Sequence, residues 1–194
     1  GYWLGDSCAA IGAAGDKGKD TEAEVTIGTA GATAEQEDVH VTATGLYGSA
    51  IGSGIKDTKV TIQGHSTIRM ESRKNSTAIG SNYGNVEVNI KDNVTIDAKD
   101  EGTSIRYEGG GSGIGGGDIR VDSNRKVVVN IDGGTNGKVK IGDGVQIFGK
   151  YGAISGTEVN IGNNVLLKMK PWGSPDDKYI NVKGAEAAVG TRNN

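Results

Sequence analysis

An apolar–polar–apolar triplet recurs along the chain: Val25-Thr26-Ile27, Val60-Thr61-Ile62, Val88-Asn89-Ile90, Val129-Asn130-Ile131 and Val159-Asn160-Ile161. A period of two predicts a strand with one buried face. Before each triplet stands a Gly-rich hexapeptide, and a last copy follows the final triplet. The copies are AAIGAA (9–14), SAIGSG (49–54), TAIGSN (77–82), SGIGGG (112–117), GAISGT (152–157) and AAVGTR (187–192). The one large residue is always central: Ile11, Ile51, Ile79, Ile114, Ile154 and Val189. These anchors return every roughly 30 to 40 residues, within the range of solenoids and arrays.

A longer unit overlaps the triplets. VTIQGHSTI (60–68), VNIKDNVTI (88–96), VKIGDGVQI (139–147) and VNIGNNVLL (159–167) read as one nonapeptide written four times. Each is a strand, a polar bend and a second strand. The bends are Gln63-Gly64-His65, Lys91-Asp92-Asn93, Gly142-Asp143-Gly144 and Gly162-Asn163-Asn164. Gly, Asn and Asp suit such bends because they tolerate positive φ or bond to their own backbone. A hairpin meander would need paired turns of the Asn-Gly kind between adjacent strands. Three short strands separated by bends predict instead the sides of one coil, with equivalent sides stacked in parallel about 4.8 Å apart.

The expected architecture is therefore all-β, a right-handed single-stranded parallel β-helix of five to six coils with little or no helix. Val and Ile would stack inward, and Thr26, Thr61, Asn89 and Asn160 would form an outward polar row. Three stretches break the regularity: 97–111, 119–137, which would add a partial coil, and 168–184. Variable loops beside a rigid array are the usual home of binding function.

Composition agrees with this picture. Gly counts 34 and Pro only 2, against 35% apolar residues, whereas disordered segments carry more Pro and fewer β-branched residues. The formal charge of −3, without a basic block, argues against nucleic acid as a partner. No stretch has the roughly 20 apolar residues of a membrane helix, so no membrane insertion is expected of this segment. The single Cys8 excludes an internal disulfide and a cysteine zinc cluster. Residues 1–194 are expected to be one repeat domain belonging to a longer protein.

The hexapeptides, the polar spacers and the V-x-I-x-x-x-V/T-x-I units, taken together from Ala10 to Gly190, resemble those of Firmicutes-type bacterial surface proteins with AIGxG repeats. That resemblance implies an extracellular, cell-surface stalk or adhesin on a parallel β-helix, with a polysaccharide or host-cell glycan as the partner. The matching residues are packing residues, so the resemblance transfers no binding residue.

Candidate chemistry is sparse. The SGIGGG copy lacks the Gly-Lys-Ser/Thr ending of a phosphate loop and a following helix. The acids Asp92, Asp97, Asp122, Asp132, Asp143, Asp176 and Asp177 lie in bends and loops without a spacing that pairs two carboxylates. An enzyme acting on polysaccharide is the alternative reading, and it requires several of these acids on one face. Asp132, Asn136 and Asp143 are hard oxygen ligands among glycines, the set a calcium ion would take. His40 and His65 have no evident metal partner, and Cys8 has no basic neighbour to activate it. Trp172 sits between two prolines, beside Asp176, Asp177, Lys178 and Tyr179. Trp172, Asp176, Asp177 and Tyr179 form the candidate sugar-binding set. A third alternative is end-to-end self-association through unpaired strand edges.

Overall fold

A computed structural model describes residues 9–13, 22–45, 49–72, 77–81, 83–98, 113–116, 124–142, 154–167 and 189–191. Every regular element among them is a β-strand. The strands are β1 (Ile11–Ala13), β2 (Ala23–Ile27), β3 (Val39–Gly45), β4 (Ile51–Ser53), β5 (Thr58–Ile62), β6 (His65–Ser72), β7 (Ile79–Ser81) and β8 (Val86–Lys91). They continue as β9 (Asn93–Ala98), β10 (Ile114–Gly116), β11 (Val127–Asp132), β12 (Val139–Ile141), β13 (Ile154–Gly156), β14 (Glu158–Ile161), β15 (Val165–Leu167) and β16 (Val189–Thr191).

Every third strand joins the same parallel sheet. The first sheet runs β1-β4-β7-β10-β13-β16, the second β2-β5-β8-β11-β14, and the third β3-β6-β9-β12-β15. The described residues thus form a parallel β-helix with five full coils, and β16 carries the first sheet one strand further. Repeating sequence becomes repeating position: Ile11, Ile51, Ile79, Ile114, Ile154 and Val189 are successive register partners. The triplets stack likewise, Ile27 on Ile62, Ile62 on Ile90, Ile90 on Ile131 and Ile131 on Ile161.

Inward columns of Val and Ile make one continuous core, including Val60, Ile62, Ile79, Val88, Ile90, Ile114, Val129 and Ile131. Each such side chain removes roughly 1.5–3 kcal/mol worth of apolar surface from water. Ser66 occupies an inward position of the third sheet, and its buried hydroxyl donates to the carbonyl of Gln63 at 2.7 Å.

The hexapeptide supplies the short first side of each coil and leads into the corner that follows. Gly52, Gly80 and Gly115 have φ of 125°, 127° and 112°. A Cβ on Gly52 would strike the carbonyl oxygen of Gly80, one on Gly80 that of Gly115, and one on Gly115 that of Ser155. The glycines are therefore fixed by backbone geometry and by the approach of the next coil, not by a ligand. Hydroxyls finish the corner. Ser49 Oγ donates to the carbonyls of Ser53 at 2.7 Å and Gly80 at 3.0 Å. Ser53 Oγ accepts the N–H groups of Ile55 and Lys56 at 3.2 and 2.9 Å, turning the chain toward the second sheet.

Three sequence expectations need correction. The segment VKIGDGVQI is not a fourth copy of the nonapeptide unit: Val139-Lys140-Ile141 lies on the third sheet, Ile141 pairing with Ile96 and Leu167. Accordingly, Gly142 follows a third-sheet strand and is not the bend between two sides. Nor do the described residues of 119–137 add a partial coil. Val127–Asp132 is β11, the ordinary second side of the fourth coil. The physical reason is one and the same: in this coil the bend from second to third sheet is enlarged to 133–138, which shifts the next V-x-I one side on.

Candidate functional site: outer rows and corner carboxylates

The outer face of the second sheet is built by the polar members of the triplets. Thr26, Thr61, Asn89, Asn130 and Asn160 are successive register partners. Over the last three coils the row becomes an amide ladder. Asn130 Nδ2 donates to Asn89 Oδ1 and Asn160 Nδ2 to Asn130 Oδ1, both at 2.9 Å. Its ends lean on carboxylates: Asn89 Nδ2 donates to Glu87 Oε1, and Asn160 Nδ2 to Glu158 Oε1, both at 2.8 Å. Beside it runs the row Glu24, Lys59, Glu87, Val128 and Glu158, with an exposed Lys59–Glu87 ion pair at 3.9 Å. The result is a regular polar strip with donors and acceptors set one coil apart.

At the bends, acids and amides bind backbone groups of other coils. Asp57 Oδ1 accepts the N–H of Asn85 at 2.7 Å, and Asn85 Oδ1 accepts that of Lys126 at 2.8 Å. Asp92, held at φ 67°, places Oδ2 against the N–H groups of Gly31 and Gly64 at 3.1 and 3.3 Å. One carboxylate thus ties together bends of the first three coils. Asp132 Oδ1 accepts from the N–H of Gly134 at 2.9 Å and from that of Asn163 at 2.8 Å.

This bears on the candidate calcium set. Asp132 and Asn136 both lie exposed at the enlarged bend, and one oxygen of Asp132 already serves two backbone donors. Asp143 lies outside the described residues. Among the described residues no group of three or more His, Cys, Asp or Glu side chains is arranged to hold a metal ion. Trp172, Asp176, Asp177 and Tyr179 lie outside the described residues, as do Asp122 and Cys8.

Two arrangements escaped the sequence reading. Arg125 is buried, 5% exposed, under the corner of the third coil. Its Nε and Nη2 donate to the carbonyl of Gly84 at 2.9 and 2.6 Å, and Nη2 also to that of Ser81 at 3.3 Å. A guanidinium can do this because it spreads its charge over a planar fork of donors. The other arrangement gathers the chain's two histidines on one carboxylate. His40 Nε2 is 3.0 Å from Asp38 Oδ2, and His65 Nδ1 is 3.2 Å from Asp38 Oδ1. His40 stands on β3 of the first coil and His65 opens β6 of the second. Hydrogen bonds from His40 and then His65 hold the Asp38 carboxyl below its ordinary range. The available signal was the Asp38-x-His40 spacing at a strand start; the position of His65 depends on how coils stack.

No family model matches the sequence, and no curated protein or solved structure matches the chain.

Proposed function

We propose that this chain is a non-enzymatic module of an extracellular bacterial surface protein, a β-helical stalk or adhesin segment that engages polysaccharide or cell-surface glycan. One observation carries the reading: the polar chemistry of the described coils is spent on building the rod. Asp57, Asp92 and Asp132 accept backbone N–H groups across coils, and the Asn89–Asn130–Asn160 amides bond to one another. Carboxylates so engaged are poorly placed to act as general acids and bases, which need access to a substrate proton. A regular strip of amides, hydroxyls and carboxylates suits the repeating hydroxyls of a glycan, and Trp172 would add a stacking surface from the 168–184 loop.

The test is binding of the whole chain to immobilised polysaccharides, with Trp172→Ala and Asn130→Ala compared to wild type. Retention by at least one glycan, weakened about tenfold or more by either substitution, supports the adhesin reading. Retention by none makes the module a spacer. Release of new reducing ends or unsaturated sugars from any polysaccharide would overturn the non-enzymatic reading in favour of a lyase or hydrolase.

Self-association is the second reading. Among the described residues β14 and β15 are edge strands of their sheets, and Ile161 is 44% exposed where its equivalents Ile62, Ile90 and Ile131 are buried. Unpaired edges recruit further strands. Sedimentation velocity showing growth of larger species with concentration, suppressed by Ile161→Lys, is the expected result. A strict monomer at high concentration would contradict it.

A further inference from the structure

We propose that Asp38, His40 and His65 form a proton-operated clasp that fastens the 28–38 loop of the first coil onto the second coil.

The loop leaves the second sheet after Ile27 and returns at Val39. Its base is closed by Glu37, whose Oε2 accepts the N–H of Thr29 at 2.9 Å. Its middle is held to the third coil by the bond from Gly31 N to Asp92 Oδ2. Its start is held to the second coil by Gln63 Nε2, which donates to the carbonyl of Gly28 at 3.1 Å; its end, Asp38, reaches both imidazoles, of which His65 belongs to the second coil.

The charged groups around the clasp make its sign clear. Glu35 and Glu37 share the loop. Glu35 Oε2 accepts the hydroxyl of Thr33 at 3.1 Å. Asp92 stands on the third-coil bend, and Lys91 ends β8 just before it. On β6, the strand of His65, Arg69 lies next along the outer side from Thr67, the register partner of His40. On β9, Asp97 is the register partner of Arg69, so with neutral imidazoles the bends and strands beside the clasp carry five carboxylates (Glu35, Glu37, Asp38, Asp92 and Asp97) against one Lys and one Arg. Imidazole is the side chain that ordinarily changes charge between pH 5 and 8. Protonation of His40 and His65 adds two positive charges to an acidic corner. It also turns both contacts with Asp38 into charge-assisted bonds, with each ring an obligate donor. Protonated imidazoles therefore tighten the loop, and neutral ones loosen it.

The experiment is amide hydrogen exchange of residues 29–38 on the whole chain, corrected for intrinsic rates, at about pH 5.5 and about pH 8, either side of the ordinary histidine range. Wild type is expected to show protection about two- to five-fold greater at the lower pH, the scale of exposed charged pairs. Asp38→Asn should abolish the difference. His40→Gln and His65→Gln, both at exposed or half-exposed positions, should each reduce it while leaving the far-ultraviolet spectrum unchanged. Side-chain carboxylates generally titrate below this window, so they cannot mimic the effect. Equal protection at both pH values in wild type, or a difference that survives in Asp38→Asn, would overturn the proposal. So would a His65→Gln variant indistinguishable from wild type, because the clasp would then not cross between coils.

Discussion

Replacing Gly80 by Ala isolates the physical reason for the hexapeptide. Two costs add. At φ 127° the backbone is left-handed, and an L side chain there costs about 1–2 kcal/mol. The new Cβ also runs into the carbonyl oxygen of Gly115 and comes within 3.3 Å of Val86 Cγ1. Since the obstacle is the ladder backbone, the coils must part or the ladder must distort, which as overpacking costs about 1–3 kcal/mol. The sum is about 2–5 kcal/mol. Gly134 provides the control. It too is left-handed, at φ 64°, but a Cβ there meets nothing within 4 Å. Gly134→Ala should cost only the conformational term, partly offset by about 0.4–1 kcal/mol from a stiffer unfolded chain. Urea unfolding followed by circular dichroism on both variants gives the comparison. Gly80→Ala should be the less stable by about 1–3 kcal/mol. Equal stabilities, or a Gly80→Ala cost below about 1 kcal/mol, would refute the claim that the next coil dictates glycine.

Other expectations follow from the same ladders. Ile90→Ala, in the middle of a buried column, should cost about 2–5 kcal/mol, while Ile161→Ala, at 44% exposure, should cost distinctly less; paired urea titrations decide it. Asn130→Ala removes two amide-ladder bonds and should cost about 1–2 kcal/mol, whereas Asn89→Ala, which loses one ladder bond and the bond to Glu87, should behave similarly. Asp38 has a carboxyl lowered by its bonds to His40 and His65. A lowered carboxylate contributes stability that is present above its unfolded value and lost as pH falls through its folded value. The stability gap between wild type and Asp38→Asn should thus hold at mildly acid pH and close below about pH 4, measured by thermal melts across pH.

The stacking of the coils was legible because it depends on local pattern. A period of two placed Val60 and Ile62 inward. Six central Ile or Val residues marked the first side of each coil, and the outward row came with the triplets. Less legible was anything depending on bend length. VKIGDGVQI and VNIGNNVLL look alike, but the enlarged 133–138 bend puts the first V-x-I of the former on the third sheet and that of the latter on the second. Periodicity counts residues along the chain, while register counts coils, and an enlarged bend separates the two. The candidate sites suffered for the same reason. Asp38 and His65 meet only because two coils lie one ladder spacing apart, and Arg125 is paired with the carbonyls of Gly84 and Ser81 from the preceding coil. Of the acids read as scattered turn formers, Asp92 sits in a bend, whereas Asp97 lies within β9 and Asp132 ends β11; Asp92 and Asp132 brace coils other than their own.

The central claim is that equivalent triplets lie directly above one another, one coil per ladder step. Spin labels on outward triplet positions test it most directly, after Cys8 is replaced by Ser. Labels at Thr61 and Asn89, which are register partners, should show strong dipolar broadening from backbones about 5 Å apart. Labels at Thr26 and Asn160 should lie about 19 Å apart in the backbone, four ladder spacings. A Thr61–Asn89 pair without broadening, or separations that do not grow coil by coil from Thr26 to Asn160, would contradict the parallel β-helix.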